Sequence, residues 1–395
     1  MATPPRIAAE LPELCRVCIL RDARAKATFS DNTILVTNST GSSFLVLAPD
    51  GRATRQLSEY ALTRHSPLLA AVLEFRNMHV EQPCVCKPLA RVLRSGFSLG
   101  YAIHDATWPN PRHAADAGLA QLQQDGKVVV SSEDGVAQVV LHGHRRRFAV
   151  CYPLLVGERP QEARYDYVWQ TQVFSVASHP ARWRPAVRAA LLAAAALGQD
   201  VGAALAGLEH ESASSQQQGH DQQQQGYSNM GLIPTAAALD PDDGLAGTGP
   251  AGSLSIAEEA PEPPSVRRCL LPRADECVRT GLAEQLPSDG WWAEPSLSLL
   301  PPGDVLMFEW TPHATYQFLP ESGEVEVWVH ADESCMASTR GGRFLAHYKG
   351  CEAEGQLYVA NCVPEAVWSR DQACRYPLGA LAAHALKLRR VPACS

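Results

Sequence analysis

The stretch at residues 305–330 decides the fold class, because three strand patterns and two turns follow one another there without interruption. It reads VLMFEW (305–310), TPH (311–313), ATYQFL (314–319), PESGE (320–324) and VEVWVH (325–330). Short runs rich in β-branched and aromatic residues, separated by proline, glycine and serine, are typical of antiparallel strands joined by short turns. Strands at 344–348 and 357–361 and a helix at 377–390 follow, which together predict an antiparallel meander closed by one helix.

The same order, strands and then one amphipathic helix, occurs twice more upstream. In the first copy, strand patterns end in a helix that begins at Ser66-Pro67, with an apolar stripe from Leu68 to Phe75. In the second copy, a long β-rich segment at 167–177 stops at His179-Pro180 and a helix follows. The sequence therefore predicts an α+β protein of three units, each an antiparallel sheet meander followed by one packed helix.

The segment between the second and third copies has a different composition. Residues 212–225 are dense in glutamine and serine, and residues 235–264 are rich in glycine, alanine, proline and acidic residues. Such sequences bury too little apolar surface to offset chain entropy, so a disordered linker is predicted. The predicted domains are a tail (1–14), the first unit (15–82), a connector with the second unit (83–201), the linker (202–264) and the third unit (265–395). The first two units are then a contiguous pair, and the third is held at an adjustable distance.

Composition narrows the class of protein. The net charge of −8 and the pI near 5.9 argue against a general nucleic-acid binder, which usually carries a basic stripe. The sequence shows no long uncharged apolar stretch and no secretory signal at residues 1–10, so a cytoplasmic protein is expected. The 12 cysteines are then expected to be mostly buried thiols.

Catalytic, cofactor and metal motifs are weak. The nucleophile elbow, the phosphate loop, the zinc-protease helix and the kinase motifs are absent from the sequence. The GTGPAG run at 247–252 matches a dinucleotide fingerprint by letter, but it lies in the linker rather than between a strand and a helix. Cys15-x-x-Cys18 and Cys84-x-Cys86 leave a four-thiol site as the one metal hypothesis to test. No enzyme, cofactor or resident metal is predicted.

Arg145, Arg146 and Arg147 form a basic run in an acidic protein. Guanidinium groups suit acidic or phosphorylated partners because they form bidentate hydrogen bonds, whereas the plainer interpretation is a solvated hairpin turn. Trp291 and Trp292 lie in a polar, proline-bounded segment and are the other candidates for partner binding. The tryptophans within the three units are expected to be mostly core residues.

Several of these segments together resemble an uncharacterised eukaryotic family, named in vertebrates for open reading frame 34 of human chromosome 5. The resemblance is carried by the following runs: LEFRN (73–77), WP (108–109), YVW (167–169), FSVA (174–177), LPR (271–273), Thr315-Tyr316 and the stretch 342–348. Trp183 and Trp310 also contribute to it. These residues are mostly aromatic and apolar, so they specify a family better than a function. Vertebrate members continue into a further C-terminal region, whereas this sequence stops at Ser395.

The order of elements in each unit is also similar to that of a polo box. That module is a six-stranded antiparallel sheet crossed by a C-terminal helix. In polo-like kinases it binds proteins and helps to place the kinase on centrioles and spindle poles. The likeness implies polo-box-like units and a centrosome, basal body or cilium as the compartment. No histidine and lysine pair of this sequence aligns with the phosphopeptide site of that module.

The leading functional hypothesis is a non-catalytic scaffold or adaptor for protein–protein interaction, with a centriolar, ciliary or cell-division context. Its partners would be proteins, including acidic or phosphorylated segments, and no membrane is expected. One alternative is an enzyme of unrecognised type that uses Cys15, Cys18 or a histidine such as His104. The least favoured alternative is nucleic-acid binding through Arg145, Arg146 and Arg147.

Overall fold

A computed structural model describes residues 11–92, 96–103, 105–202, 204–206, 305–349, 355–369 and 374–389. Residues 203 and 207–264 of the predicted linker, Trp291, Trp292 and His104 lie outside these residues, whereas residues 202 and 204–206 are helical. Antiparallel sheets with few helices make up the described chain, as the sequence predicts for an α+β protein.

The first unit is a five-stranded meander followed by a helix that covers it. Its strands are β1 (Leu14–Leu20), β2 (Ala25–Phe29), β3 (Ile34–Thr37), β4 (Ser43–Leu47) and β5 (Ala53–Leu57). Helix α1 (Ser66–His79) begins one residue after its N-cap, His65, so Ser66 is the first helical residue rather than the cap. Its stripe from Leu68 to Phe75 is buried, as the periodicity predicts, and α2 (Lys87–Val92) follows.

The second unit is a six-stranded antiparallel sheet with a helix across it. Its strands are β6 (Gly96–Leu99), β7 (Ala120–Leu122), β8 (Val128–Ser131), β9 (Gln138–Leu141), β10 (Arg147–Arg159) and β11 (Arg164–Ser175). The two long strands pair along their whole length, and the strand order is β6-β11-β10-β9-β8-β7. The helices are α3 (Pro111–Ala114) and α4 (Arg184–Ala196), of which α4 packs on the sheet through Val187 and Leu191.

The meander of the third unit has six strands, one more than the sequence pattern predicts. Its strands are β12 (Leu306–Trp310), β13 (Ala314–Leu319), β14 (Glu324–Val329), β15 (Cys335–Thr339), β16 (Phe344–Tyr348) and β17 (Gln356–Val359). A short hairpin, β18 (Val367–Trp368) and β19 (Arg375–Tyr376), precedes helix α5 (Leu378–Arg389). Strand β15 was not predicted, because its sequence, CMAST, has fewer β-branched and aromatic residues than the neighbouring strands.

The first and third units share one sheet. Strand β1 pairs antiparallel with β12, so that Val17 lies opposite Trp310 and Ile19 opposite Phe308. The result is an eleven-stranded sheet in the order β17-β16-β15-β14-β13-β12-β1-β2-β3-β4-β5. The expectation that the third unit is held at an adjustable distance is therefore wrong for the described residues, because main-chain hydrogen bonds fix its register against the first unit.

The two faces of the third unit are covered by different elements. Val325 and Val327 face α5 and belong to a core cluster with Leu381. Trp328 alternates to the opposite face, where it joins a larger core cluster that extends through the first and second units. Both faces of β14 are therefore buried, although its sequence, EVEVWV, alternates charged and apolar residues in its first four positions.

Candidate functional site

A cleft of about 1080 Å³ lies where the three units meet. The first unit contributes Arg21, Arg76 and His79 to its lining. The second contributes Phe174 and His179 with Arg182, and the third contributes Met307 and Phe308 with Gln317. The cleft depends on the β1–β12 pairing, because that pairing places the third unit beside α1.

Arg76 holds one wall of the cleft together. Its side chain is almost completely buried, and it donates hydrogen bonds from Nε to the Ala23 carbonyl at 2.8 Å and from Nη2 to the Ser39 carbonyl. A further bond of 3.4 Å reaches the Gln82 carbonyl. The Arg76 guanidinium therefore connects two loops of the first unit to the segment that follows α1. These three segments form one wall of the cleft.

His79 lies at the contact point of all three units. Its Nδ1 lies 2.9 Å from the Val173 carbonyl of the second unit, and its ring stacks on Phe308 of the third unit with centroids 4.5 Å apart. Burial lowers the pKa of His79 to about 3, although the bond to Val173 acts in the opposite direction. The ring is therefore neutral near pH 7, and its role is to join the units rather than to transfer protons.

Two buried glutamines on strands bond to main-chain groups of another unit. Gln172 on β11 donates from Nε2 to the Asn77 carbonyl at 3.2 Å and to the Val80 carbonyl at 2.5 Å. Gln317 on β13 accepts from the Ser175 amide at 3.0 Å and donates to the Ser178 carbonyl at 3.1 Å. Both are buried polar side chains within strands, which is the signal by which the sequence could have indicated an internal junction.

Arg182 forms the second-unit side of the cleft. It donates to Gln172 Oε1, which also accepts from Trp183 Nε1 at 3.0 Å. Its guanidinium carbon lies 4.8 Å from the Trp183 ring centroid, a cation–π distance. Nearby, burial lowers the pKa of His179 to about 4, so this ring is also neutral near pH 7.

The cleft lining carries charges of both signs. Three arginines line it, against the carboxylates of Asp22 and Glu81. Asp22 is already paired with Arg24 at 2.5 Å, which reduces its effect on a ligand. Among the cleft arginines, Arg21 is exposed, as are both carboxylates. The guanidinium of Arg21 suits an acidic or phosphorylated side chain.

Arg145, Arg146 and Arg147 lie in the turn between β9 and β10, but they do not form the exposed patch that the sequence suggested. Arg145 is buried and donates to the Gly126 carbonyl at 3.0 Å and to Gln199 Oε1 at 2.6 Å. These bonds hold the guanidinium within the second unit. A partner-binding role for the three arginines stays a prediction, without the exposed basic patch on which it was based.

The other two arginines cross to the third unit. Arg146 lies 3.3 Å from Glu326 and donates to the Tyr348 hydroxyl at 2.6 Å. Burial raises the pKa of Glu326, and Arg146 counteracts that effect only in part. Arg147 lies over the Trp328 ring at 4.4 Å from its centroid, and burial lowers its pKa to about 10. The basic run thus joins the second unit to the third.

The proposed four-thiol metal site is wrong. Cys15 is exposed and Cys18 is buried, because residues three apart on a strand point to opposite faces. Cys84 and Cys86 are both buried. Across the described part of the chain, no group of three or more histidine, cysteine, aspartate or glutamate residues is arranged to hold a metal ion.

Residues 17–77 match a family described as C5orf34-like, N-terminal. The first unit is therefore similar to the N-terminal domain of this family. The match runs from β1 through most of α1, so it confirms the resemblance over the segment that supplies Arg21 and Arg76 to the cleft. A search of curated protein sequences finds no match to the chain. Of the helices described here, none is long and apolar enough to cross a membrane.

Proposed function

We propose that this protein is a non-catalytic scaffold in which three polo-box-like units bind partner proteins, with the junction cleft as the main binding site. The observation that carries the proposal is the composition of the cleft, which draws its walls from all three units. A site of this kind exists only when the units are assembled, as a scaffold that presents one composite surface requires.

The roles of the polar groups in the cleft support binding rather than catalysis. His79 and His179 have lowered pKa values because they are buried, and Arg76 donates its hydrogen bonds to main-chain carbonyls. Arg76 and Arg182 already serve packing and hydrogen bonding, so among the cleft arginines Arg21 is the exposed one that a ligand could reach. A partner segment with an acidic or phosphorylated side chain fits this arrangement.

The polo-box-like character of the units rests on the third one. Six consecutive antiparallel strands, β12 to β17, precede α5, which packs across β13, β14 and β15. This arrangement supports the likeness to a six-stranded sheet crossed by a C-terminal helix. By analogy, we propose a centrosomal, basal-body or ciliary context, since that is where polo boxes place their kinases.

Proximity labelling with the tagged full-length chain tests both parts of the proposal. We expect centrosomal or ciliary neighbours with the wild-type chain, loss of a subset with Arg21→Glu, and full retention with Arg52→Glu. Arg52 is a matched control because it is exposed in the turn between β4 and β5 and does not line the cleft. Identical neighbour sets for the two variants would exclude the cleft, and diffuse labelling would exclude the compartment.

A further inference from the structure

The eleven-stranded sheet ends in two outer strands, β5 and β17, and these differ in how they are protected. Outer strands present unpaired main-chain groups, and natural proteins usually block them with charges, proline, bulges or a covering element. Strand β5 carries Arg55, and a short helical turn follows it and contacts α2. Strand β17 lies within residues 355–364, a run with no charged residue.

Strand β17 also exposes apolar side chains. Leu357 is 55% exposed and Val359 is 50% exposed. These two residues are two positions apart and therefore share one face of the sheet. Tyr358 points to the other face, where it packs against the core cluster under α5. The exposed face of β17 is thus apolar, whereas its other face is anchored to the third unit.

The main chain of β17 is available on its outer side. The Ala360 amide donates to the Arg343 carbonyl, so even-numbered residues of this strand direct their main-chain groups towards β16. By alternation, Leu357 directs its N–H and C=O away from the sheet. In the described residues, no strand pairs with that outer side of β17.

We propose that β17 is a self-association edge that pairs antiparallel with β17 of a second copy of this chain. A two-fold axis through Leu357 would place this residue opposite its own copy, with the main-chain groups of both directed at each other. Leu357 and Val359 would then lie beside apolar residues of the second copy on one face. Because the strand has no charge, pairing it with itself brings no like charges together.

The small area of the β17–β17 contact limits the affinity of the dimer. A four-residue strand pair with two exposed apolar side chains on each copy falls below the roughly 1,000 Å² that a stable interface usually buries. We therefore expect a weak, concentration-dependent dimer. This association goes beyond the proposed scaffold function and uses neither the cleft nor Arg21, so the two proposals fail independently.

Sedimentation velocity of the full chain over a range of concentrations tests the proposal. Leu357→Lys should raise the dimer dissociation constant by about tenfold or more, since a charged edge opposes strand pairing. Leu122→Lys is the matched control, because Leu122 is an exposed leucine on β7, an outer strand of the other sheet. This control should change the constant by less than about twofold.

The assignment is overturned by a wild-type chain that stays monomeric at every concentration, or by equal weakening with Leu357→Lys and Leu122→Lys. Circular dichroism checks that each variant is folded. If Leu357→Lys does not fold, Val359→Lys replaces it, because Val359 lies on the same exposed face and the same expectation applies to it. An undiminished dimer with a folded variant also contradicts the proposal.

Discussion

The third unit is attached to the first and to the second in two different ways. Against the first unit it uses main-chain pairing between β1 and β12, supplemented by Glu309, which bridges Arg16 at 2.5 Å and His384 at 3.1 Å. Against the second unit it uses side chains, among them the ion pair between Arg146 and Glu326. One contact therefore depends on strand geometry and the other on residue identity.

The two contacts should differ in how well they tolerate substitution. Main-chain hydrogen bonds persist under most side-chain changes, so the β1–β12 pairing should tolerate mutation. Buried charges and aromatic rings do not tolerate the loss of a partner, because the remaining group stays desolvated. We expect the largest effects at the side-chain contact with the second unit and the smallest at the shared sheet.

Trp328→Ala should have the largest effect on stability. Trp328 is only 1% exposed and lies between Arg147, His79 and Phe308, which come from all three units. Removing a buried tryptophan leaves a cavity, and we expect a loss of about 4 kcal/mol in the free energy of unfolding. Urea unfolding followed by fluorescence measures it. Trp368→Ala is the control: this side chain is 57% exposed, and its loss should cost less than about 0.5 kcal/mol.

Arg146→Ala should have the next largest effect. It leaves the Glu326 carboxylate, which is 1% exposed, without its cationic partner, and we expect a loss of about 3 kcal/mol in the free energy of unfolding. Arg52→Ala removes an arginine paired with Asp50 on the surface, where the cost should stay below about 0.5 kcal/mol. Equal costs for the two variants in urea unfolding would contradict the buried role of Arg146.

His79 should make the free energy of unfolding depend on pH below about 6.5. Because the pKa of His79 is about 3 in the folded chain against 6.5 for the free side chain, only the unfolded state binds the proton between these values. Stability is therefore fully present above pH 6.5 and falls by about 1.4 kcal/mol per pH unit below it.

Replacing the ring tests this assignment. With His79→Phe, the slope of unfolding free energy against pH between 6.5 and 4 should decrease by about one proton. Phe75→Leu, beside His79 with ring centroids 4.7 Å apart, reduces packing without removing a titrating group, so its slope should match that of the wild type. Parallel slopes for His79→Phe and the wild type would show that other groups cause the pH dependence.

Glu309→Gln should have the smallest effect, and it tests the shared sheet directly. Arg16 and His384 are partly exposed and can be hydrated when the carboxylate is lost, so the cost should be about 1 kcal/mol. Glu59→Gln, which weakens the surface pair with Lys87, should cost less than about 0.5 kcal/mol. A loss at Glu309 as large as that of Arg146→Ala would refute the proposed difference between the two contacts.

Much of the local structure could be predicted from the sequence. The strand runs at 305–310, 314–319 and 325–330 correspond to β12, β13 and β14 within one or two residues, and the stripe from Leu68 to Phe75 is buried in α1. Local patterns of this kind carry their own periodicity. Strands β5 and β15 were missed because polar or small residues, as in ATRQL and CMAST, weaken the β pattern.

The candidate site could not be predicted in the same way. Arg146 and Glu326 are 180 residues apart in the chain, and nothing local to either residue indicates the other. The sequence of a basic run does not show whether its side chains contact water or an aromatic ring. Arg147 therefore suggested an exposed surface, although its guanidinium lies over the Trp328 ring. Gln172 and Gln317, buried polar residues within strands, carried a signal for a buried junction.

The α+β class, the antiparallel meanders and the helices that close them can be predicted from the sequence, because hydrophobic periodicity and turn residues act over a few positions. The pairing of β1 with β12, the internal position of the arginine run and the cleft beside His79 are visible only in the folded structure. These contacts form between strand edges and charges that are distant in sequence. They depend on packing and desolvation between those segments, which leave no local pattern in the chain.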